Sequence, residues 1–310
     1  MRFSLVIPTV NRPVELLRFL ESVNNQTVKP DEIIVVIQGV SDAKRAVAVY
    51  PRLPISVVEM NEASLTKARN AGVAKSTGEI VGFVDDDCIL EPDYVEKIMA
   101  FFTIHPAARG VQGIITNFEA GHTAKVGGRT GVYRCYNILA KIFLLNNSSF
   151  RNKLLLSGRN QYASRVVSVQ PCEWLSGIGN YRREIFQEFH FDEMLQGYAL
   201  GEDKLFSYPI AMKYRDNLFV DPNIRCAHEY GAAGRPAGYD QVRMKVRYTY
   251  YLWKKLLRPK GIHARLAYWW ANFGDLVVVL LAVVARQKTF TYWRWHVKEY
   301  WAVWRGQAVL

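Results

Sequence analysis

Between residue 3 and about residue 115 the chain alternates short, β-branched apolar runs with stretches of helical periodicity, and few folds accommodate that rhythm. Ser4–Ile7 reads as a strand and Pro13–Asn24 as a helix with Leu16, Leu17, Leu20 and Val23 on one face. Glu32–Ile37 reads as a buried strand, 55–58 as another, Ser64–Ala74 as a helix, and Ile80–Val84 as a strand that runs into Asp85-Asp86-Asp87. Strands that alternate with helices imply right-handed βαβ units and a parallel sheet covered on both faces, an α/β fold. Ligands of such sheets sit beyond the carboxyl ends of the strands. That rule gathers Thr9–Arg12, Gln38 and Asp85–Asp87 around one crevice.

The next stretch, 116–170, is glycine-rich and basic, with an apolar run from about Tyr133 to Leu145 suited to a helix against the core or against lipid. Residues 171–236 regain compact character, with Trp174, a Gly177–Gly179 turn and a helix starting near Glu202. Cys88, Cys135, Cys172 and Cys226 lie tens of residues apart without zinc-type spacing, which points to reduced thiols in a cytosolic compartment. The opening apolar run is too short for a signal peptide and reads as the first strand.

The formal charge of +12 is unevenly spread. Residues 240–310 carry +10 and residues 120–170 carry +8, leaving −6 on the rest. With half its residues hydrophobic the chain is neither disordered nor collagen-like. An acidic core with two basic segments is also unlike a uniformly basic nucleic-acid binder, and no nucleic-acid partner is expected. Seven of the eight tryptophans fall between 253 and 304, and Trp interleaved with Lys and Arg suits a membrane surface.

Three consecutive aspartates at a strand end repel one another and desolvate poorly unless a cation neutralises them. Hard oxygen ligands select Mg²⁺ or Mn²⁺, which bind through one or two carboxylates plus substrate phosphates. The plainer alternative is a solvated acidic turn.

Several motifs in order carry a family likeness: Val6-Ile7-Pro8-Thr9 with Asn11-Arg12, then Lys67-Ala68-Arg69-Asn70-Ala71-Gly72, then Gly78 through Asp87. Trp174-Leu175-Ser176-Gly177, Arg182-Arg183, Phe191-Asp192-Glu193, Gly201-Glu202-Asp203 and His228 follow. Over about residues 3–235 the chain resembles family 2 of the inverting GT-A glycosyltransferases. The resemblance implies a GT-A fold, Rossmann-like with a mostly parallel central sheet and helices on both faces. It also implies a nucleotide-diphosphate sugar as donor. Residues 1–115 would be the nucleotide-sugar half, 116–238 the acceptor and catalytic half, and 239–310 a helical membrane-association module.

By that resemblance Pro8, Thr9 and Arg12 line the nucleotide pocket, Asp85 or Asp86 contacts ribose, and Asp87 holds the divalent metal. His228 would be a metal or diphosphate contact, or an ordinary structural histidine. Arg69 would help hold phosphate, its alternative being a surface arginine. Asp203 would be the general base of Glu202-Asp203, at a helix start where free amides keep a carboxylate ionised; the alternative is simple capping. Trp174, beside Gly177, either stacks on an acceptor or donor sugar or packs. Where the family commonly carries an aspartate that reads the base, this chain has Gln38, able to pair with a pyrimidine imide, which leaves UDP, TDP and GDP open.

In the tail, Val242, Val246, Thr249, Trp253 and Leu256 fall at helical spacing, and Arg258-Pro259-Lys260-Gly261 ends the helix. Leu266–Ala285 is long enough to span a bilayer, but Gly274-Asp275 is expected to break it, with Asp275 as the N-cap of a helix of about 10 residues, half the hydrocarbon thickness. The last segment sets Trp293, Val297, Tyr300, Trp301 and Trp304 on one face, an interfacial helix. The expectation is a monotopic enzyme on the cytoplasmic face of an anionic membrane, acting on a lipid-linked saccharide; the alternative is that the apolar faces of the tail pack on the catalytic domain or form a homodimer interface. The competing reading is a membrane- or nucleic-acid-binding scaffold with an inactive transferase-like core.

Overall fold

The computed structural model describes residues 1–39, 42–117, 130–163, 166–229 and 236–307. Val40-Ser41, and residues 118–129 and 164–165 of the glycine-rich stretch, therefore lie outside the described residues. Cα packing divides the chain into one unit of Met1–Glu119 with Val166–Gly234 and another of Ala120–Arg165 with Arg235–Leu310. Residues 120–165, grouped by the sequence reading with 116–238, thus cluster with the C-terminal helices.

The first unit runs β1 (Phe3–Val10), α1 (Pro13–Asn24), β2 (Glu32–Gln38), α2 (Ala43–Ala48), β3 (Ile55–Met60), α3 (Leu65–Lys75), β4 (Ile80–Phe83), β5 (Cys88–Leu90), α4 (Tyr94–Ile104) and β6 (Gly110–Ile115). Strands β3, β2, β1 and β4 are adjacent and parallel, as the alternation required. In β1, β2 and β4 the β-branched residues are buried on both sides, with Ile33 through Val36 fully inaccessible, while the edge strand β3 is partly exposed. Pro13 opens α1 at a position where its missing N–H costs nothing, and Leu16, Phe19, Leu20 and Val23 fill the core.

The later strands of this unit make the sheet mixed. β11 (Asn180–Arg182) lies antiparallel between β4 and β6, and β12 (Leu218–His228) runs parallel to β6. β10 (Gln170–Pro171) and β5 pair antiparallel with β12. A long α6 (Glu202–Lys213) precedes β12. The effect is to bring the end of β12 beside the segment after β4, with His228 opposite Cys88.

The second unit contains α5 (Thr130–Ile142), a three-stranded sheet of β7 (Asn147–Ser149), β9 (Asn160–Ala163) and β8 (Lys153–Leu154), and the helices α7 (Gly238–Leu256), α8 (Ile262–Val284) and α9 (Phe290–Trp304). Three expectations need correcting. Gly274-Asp275 does not interrupt the apolar segment, because α8 is one continuous helix of 23 residues. A Cβ at Gly274 would collide with the Phe143 ring, so glycine lets the two backbones approach. Asp275 caps nothing: it is buried, accepts from Lys245 Nζ at 3.1 Å and from Tyr300 Oη at 2.6 Å, and its charge is met inside the helices. Tyr300 consequently leaves the tryptophan face of α9. It turns inward, where Arg159 also donates to its hydroxyl at 2.9 Å.

Candidate active site

The donor-side cluster is built from three strand ends. Thr9 at the end of β1 donates to Asp86 Oδ2 at 2.6 Å. Arg12, just before α1, reaches both Asp86 (3.0 Å) and Asp87 (3.2 Å) with Nη1. At the end of β12, His228 Nε2 lies 3.1 Å from Asp87 Oδ1. Asn117 clamps the His228 backbone by both its N–H and its carbonyl, and the Glu229 amide donates to the Asp87 carbonyl at 2.7 Å. Burial pushes the Asp86 carboxyl up to about 6, against the pull of Thr9 and Arg12. Pro8 is buried within the ladder opposite Val36. The expected positions Pro8, Thr9, Arg12, Asp86, Asp87 and His228 therefore come together.

Gln38 does something else. It is buried, and its Oε1 accepts from the Ser64 amide at 2.7 Å, tying the end of β2 to the start of α3. One of the two lone pairs of that oxygen is therefore engaged within the protein.

Arg69 is corrected more sharply. It lies 2% exposed, its guanidinium 5.6 Å and 5.4 Å from the Phe83 and Phe191 ring centroids. Nη1 donates to Glu202 Oε1 at 2.8 Å, and Nη2 to Asp85 Oδ1 at 3.0 Å and the Gly177 carbonyl at 3.3 Å. It is neither a surface arginine nor open to a phosphate; Asp85 and Glu202, both named from the sequence, are its partners.

Gly201 enters α6 with φ +93°, a conformation glycine adopts without strain, and no side chain caps the helix. Glu202 and Asp203 thus stand in the first turn with opposite fates. Glu202 is buried, and desolvation raises its carboxyl to about 8 although Arg69 opposes the shift; the nearby Asp203 and Asp85 charges add to it. Asp203 is partly exposed, with Oδ1 held by the Lys204 amide (2.8 Å) and Nζ (3.0 Å). Trp174 is 1% exposed and packs, with the Lys204 ammonium 5.0 Å from its ring centroid, so no indole face is offered to a sugar.

Lys204 and Asn117 escaped the sequence reading. Neighbouring residues on a helix do not face one another, so nothing in the pattern pairs Lys204 with Asp203, and Asn117 finds His228 only through the pairing of β6 with β12.

Asp87, Cys88 and His228 present ligand atoms within 4.8 Å of one another. The Cys88 thiol is held well above its usual range by a hydrogen bond with Cys226 and by burial, and stays protonated. That leaves one carboxylate and one imidazole, with room in the coordination sphere for diphosphate oxygens, a donor set that fits Mn²⁺ or Mg²⁺.

A mixed sheet with carboxylates beyond its strand ends defines a GT-A-type α/β protein. A mannosyltransferase from Pyrobaculum calidifontis, solved in complex with GDP-Man and Mn²⁺, aligns over 97% of this chain and 87% of its own with a TM-score of 0.55 at 16% identity. Residues 4–165 match the family model described as Glycosyl transferase family 2, and the chain belongs to that family. An uncharacterized glycosyltransferase of Bacillus subtilis is 39% identical over 99 residues, 32% of this chain and 37% of the relative. The glucosyl-dolichyl phosphate glucuronosyltransferase of Haloferax volcanii is 28% identical over 120 residues, 37% of this chain and 38% of the relative. The chain thus matches well under half the length of these relatives.

Proposed function

We propose that the protein is an inverting glycosyltransferase that moves a sugar from a nucleoside-diphosphate donor to a hydroxyl of a lipid-linked, polyprenyl-diphosphate-type saccharide at the cytoplasmic face of a membrane, in envelope polysaccharide synthesis. The observation that carries the reading is that Asp86, Asp87, Arg12 and His228 form one bonded cluster, while Arg69 ties Asp85, of the same aspartate run, to Glu202 beside Asp203.

Asp87 and His228 would hold the divalent metal, which when bound supplies Lewis-acid stabilisation of the leaving diphosphate. Arg12 adds fixed positive charge at the same place. Asp203 is the base: its Oδ2 carries no hydrogen bond among the described residues and accepts the acceptor's hydroxyl proton as the oxygen attacks the anomeric carbon opposite the leaving group. Lys204 keeps Asp203 oriented.

The membrane reading is supported by the second unit, where Leu266, Phe273, Trp301 and Trp304 are half-exposed or more and α8 is long and apolar enough to cross a membrane. Asp275 meets its counter-charges within the helical unit, and we read α8 as lying on the bilayer. The Haloferax relative, a glucosyl-dolichyl phosphate glucuronosyltransferase, supports a lipid-linked acceptor.

The test is a thermal-shift screen of UDP, TDP and GDP with and without Mn²⁺ or Mg²⁺. A ligand at 100 times its Kd stabilises by about 2.7 kcal/mol, and one base should do so in a metal-dependent way. Asp87→Ala should abolish the metal-dependent part. If no nucleotide shifts the wild type with either metal, the reading is wrong.

A further inference from the structure

Arg69 is buried and bonded through both Nη atoms, and the reaction above assigns it no contact with substrate. Its three contacts lie on three separate segments: Asp85 after β4, Gly177 in the loop before β11, and Glu202 in the first turn of α6. The helix that carries it also grips the chain leading to α6. Asn70 pairs with both the N–H and carbonyl of Phe191, and Thr66 Oγ1 donates to the Leu195 carbonyl at 3.0 Å. The Leu65 amide donates to the Gly197 carbonyl at 3.1 Å. The whole approach to Gly201 is laid along α3, and Arg69 is its last tie.

The first turn of α6 needs that tie. Its N-cap is a glycine with no side chain to accept from the free amides. Of the two acidic residues in the turn, only Glu202 is anchored to another element among the described residues, and Asp203 follows it in sequence.

We propose that Arg69 is a positioning residue: by bridging Asp85 and Glu202 it locks the donor-side carboxylate segment to the first turn of α6 and so fixes where Asp203 stands relative to the donor. A guanidinium does this where an ammonium cannot, because its fork reaches two carboxylates at once from a fixed plane. The inference rests on the reading of Asp203 as the base. A displacement of about 1 Å at a reacting group can cost on the order of 100-fold in rate, so the tie should act on turnover far more than on donor affinity.

The experiment compares Arg69→Lys, Glu202→Ala, Glu202→Gln, the Arg69→Lys/Glu202→Ala double variant and Asp203→Asn in the full chain. Turnover is read as nucleoside diphosphate released from UDP-glucose or GDP-mannose with Mn²⁺ present, and affinity by calorimetry with UDP or GDP and Mn²⁺. Hydrogen exchange follows the amides of 201–206. Arg69→Lys and Glu202→Ala should each lower kcat by about 10- to 100-fold with nucleotide Kd within about threefold. The double variant should be little worse than the worse single one, because both break the same tie. Glu202→Gln, which keeps the accepting oxygen, should recover about tenfold over Glu202→Ala, and exchange at 201–206 should quicken in Glu202→Ala.

A loss of nucleotide affinity at unchanged kcat in Arg69→Lys would make it a donor ligand and overturn the proposal. So would multiplicative effects in the double variant, or unchanged exchange in Glu202→Ala. If Arg69→Lys does not fold, the Glu202 pair decides; if neither sugar nucleotide turns over, exchange decides. Full activity of Asp203→Asn instead overturns the base assignment while leaving the tie itself visible in the exchange data.

Discussion

Glu202 and Asp203 are neighbours in sequence and opposites in environment, and that contrast is a matter of single atoms. One guanidinium serves both Asp85 and Glu202, so neither carboxylate has a counter-ion to itself. With the Glu202 carboxyl raised to about 8 from an ordinary 4.5, the folded chain holds a proton there that the unfolded chain has already lost. The stability this group contributes is complete below about pH 4.5 and is lost as pH climbs through 8. Glu202→Gln, which cannot ionise, should therefore gain on the wild type between pH 5 and pH 8, by a few kcal/mol at the upper end. Urea midpoints at the two pH values measure it, and parallel trends in the two proteins would refute the shift. The Asp86 carboxyl, raised to about 6, tilts both proteins alike and cancels in the difference. Such fates are hidden in a sequence. Asp87, Asp86 and Thr9 could be placed because strand ends converge by rule, whereas the partners of Gln38, Arg69 and Trp174 were not legible, because residue type says nothing about which long-range partner claims a side chain.

Among the elements, the four parallel strands followed from β-branched runs and turns, and in β1, β2 and β4 those runs are buried on both faces. α8 did not follow. A glycine and an aspartate in mid-helix look like a stop signal until Phe143, Lys245 and Tyr300 arrive from distant positions to fill and neutralise the site. Burial alone would raise the Asp275 carboxyl, yet Lys245, Arg159 and the Tyr300 hydroxyl hold it well below the usual carboxylate range. This makes a discriminating prediction. Asp275→Ala strands Lys245 and Arg159 without their counter-ion and should cost about 3–5 kcal/mol, whereas loss of a mere helix cap would cost about 1 kcal/mol. Tryptophan fluorescence follows the helical unit, which holds seven of the eight tryptophans, and a denaturant midpoint shifted by no more than the smaller figure would contradict the buried network.

For the molecule as a whole, the charge of +12 divides between regions of opposite sign, and the structure shows what each sign faces. In the first unit, acidic residues are spent on Arg12, Arg69 and the space between Asp87 and His228. In the second, Arg247 meets Glu299 and Lys245 meets Asp275. Arg294 and Lys298 line a shallow apolar groove with Phe290, Trp293, Val297 and Trp301, and both are exposed. Indole rings and cations alternating on one exposed helix face match the boundary between headgroups and acyl chains, where rings enter and charges stay at the phosphates. Trp301 and Trp304 are 50% and 62% exposed, so removing them should spare the fold and weaken only binding. The double Trp301→Ser/Trp304→Ser variant should lose about tenfold or more in partitioning onto vesicles containing anionic phospholipid, from the apolar area that no longer enters the interface. Arg294→Gln and Lys298→Gln should each cost about fivefold, at roughly 1 kcal/mol per charge near the surface. Raising salt from 0.1 to 1 M shortens the Debye length from about 10 Å to about 3 Å, so salt should erase the charge contribution and leave the tryptophan contribution. Sedimentation with vesicles reads both. A wild-type protein that stays in the supernatant at low salt, without detergent, would show that these faces meet protein instead of lipid.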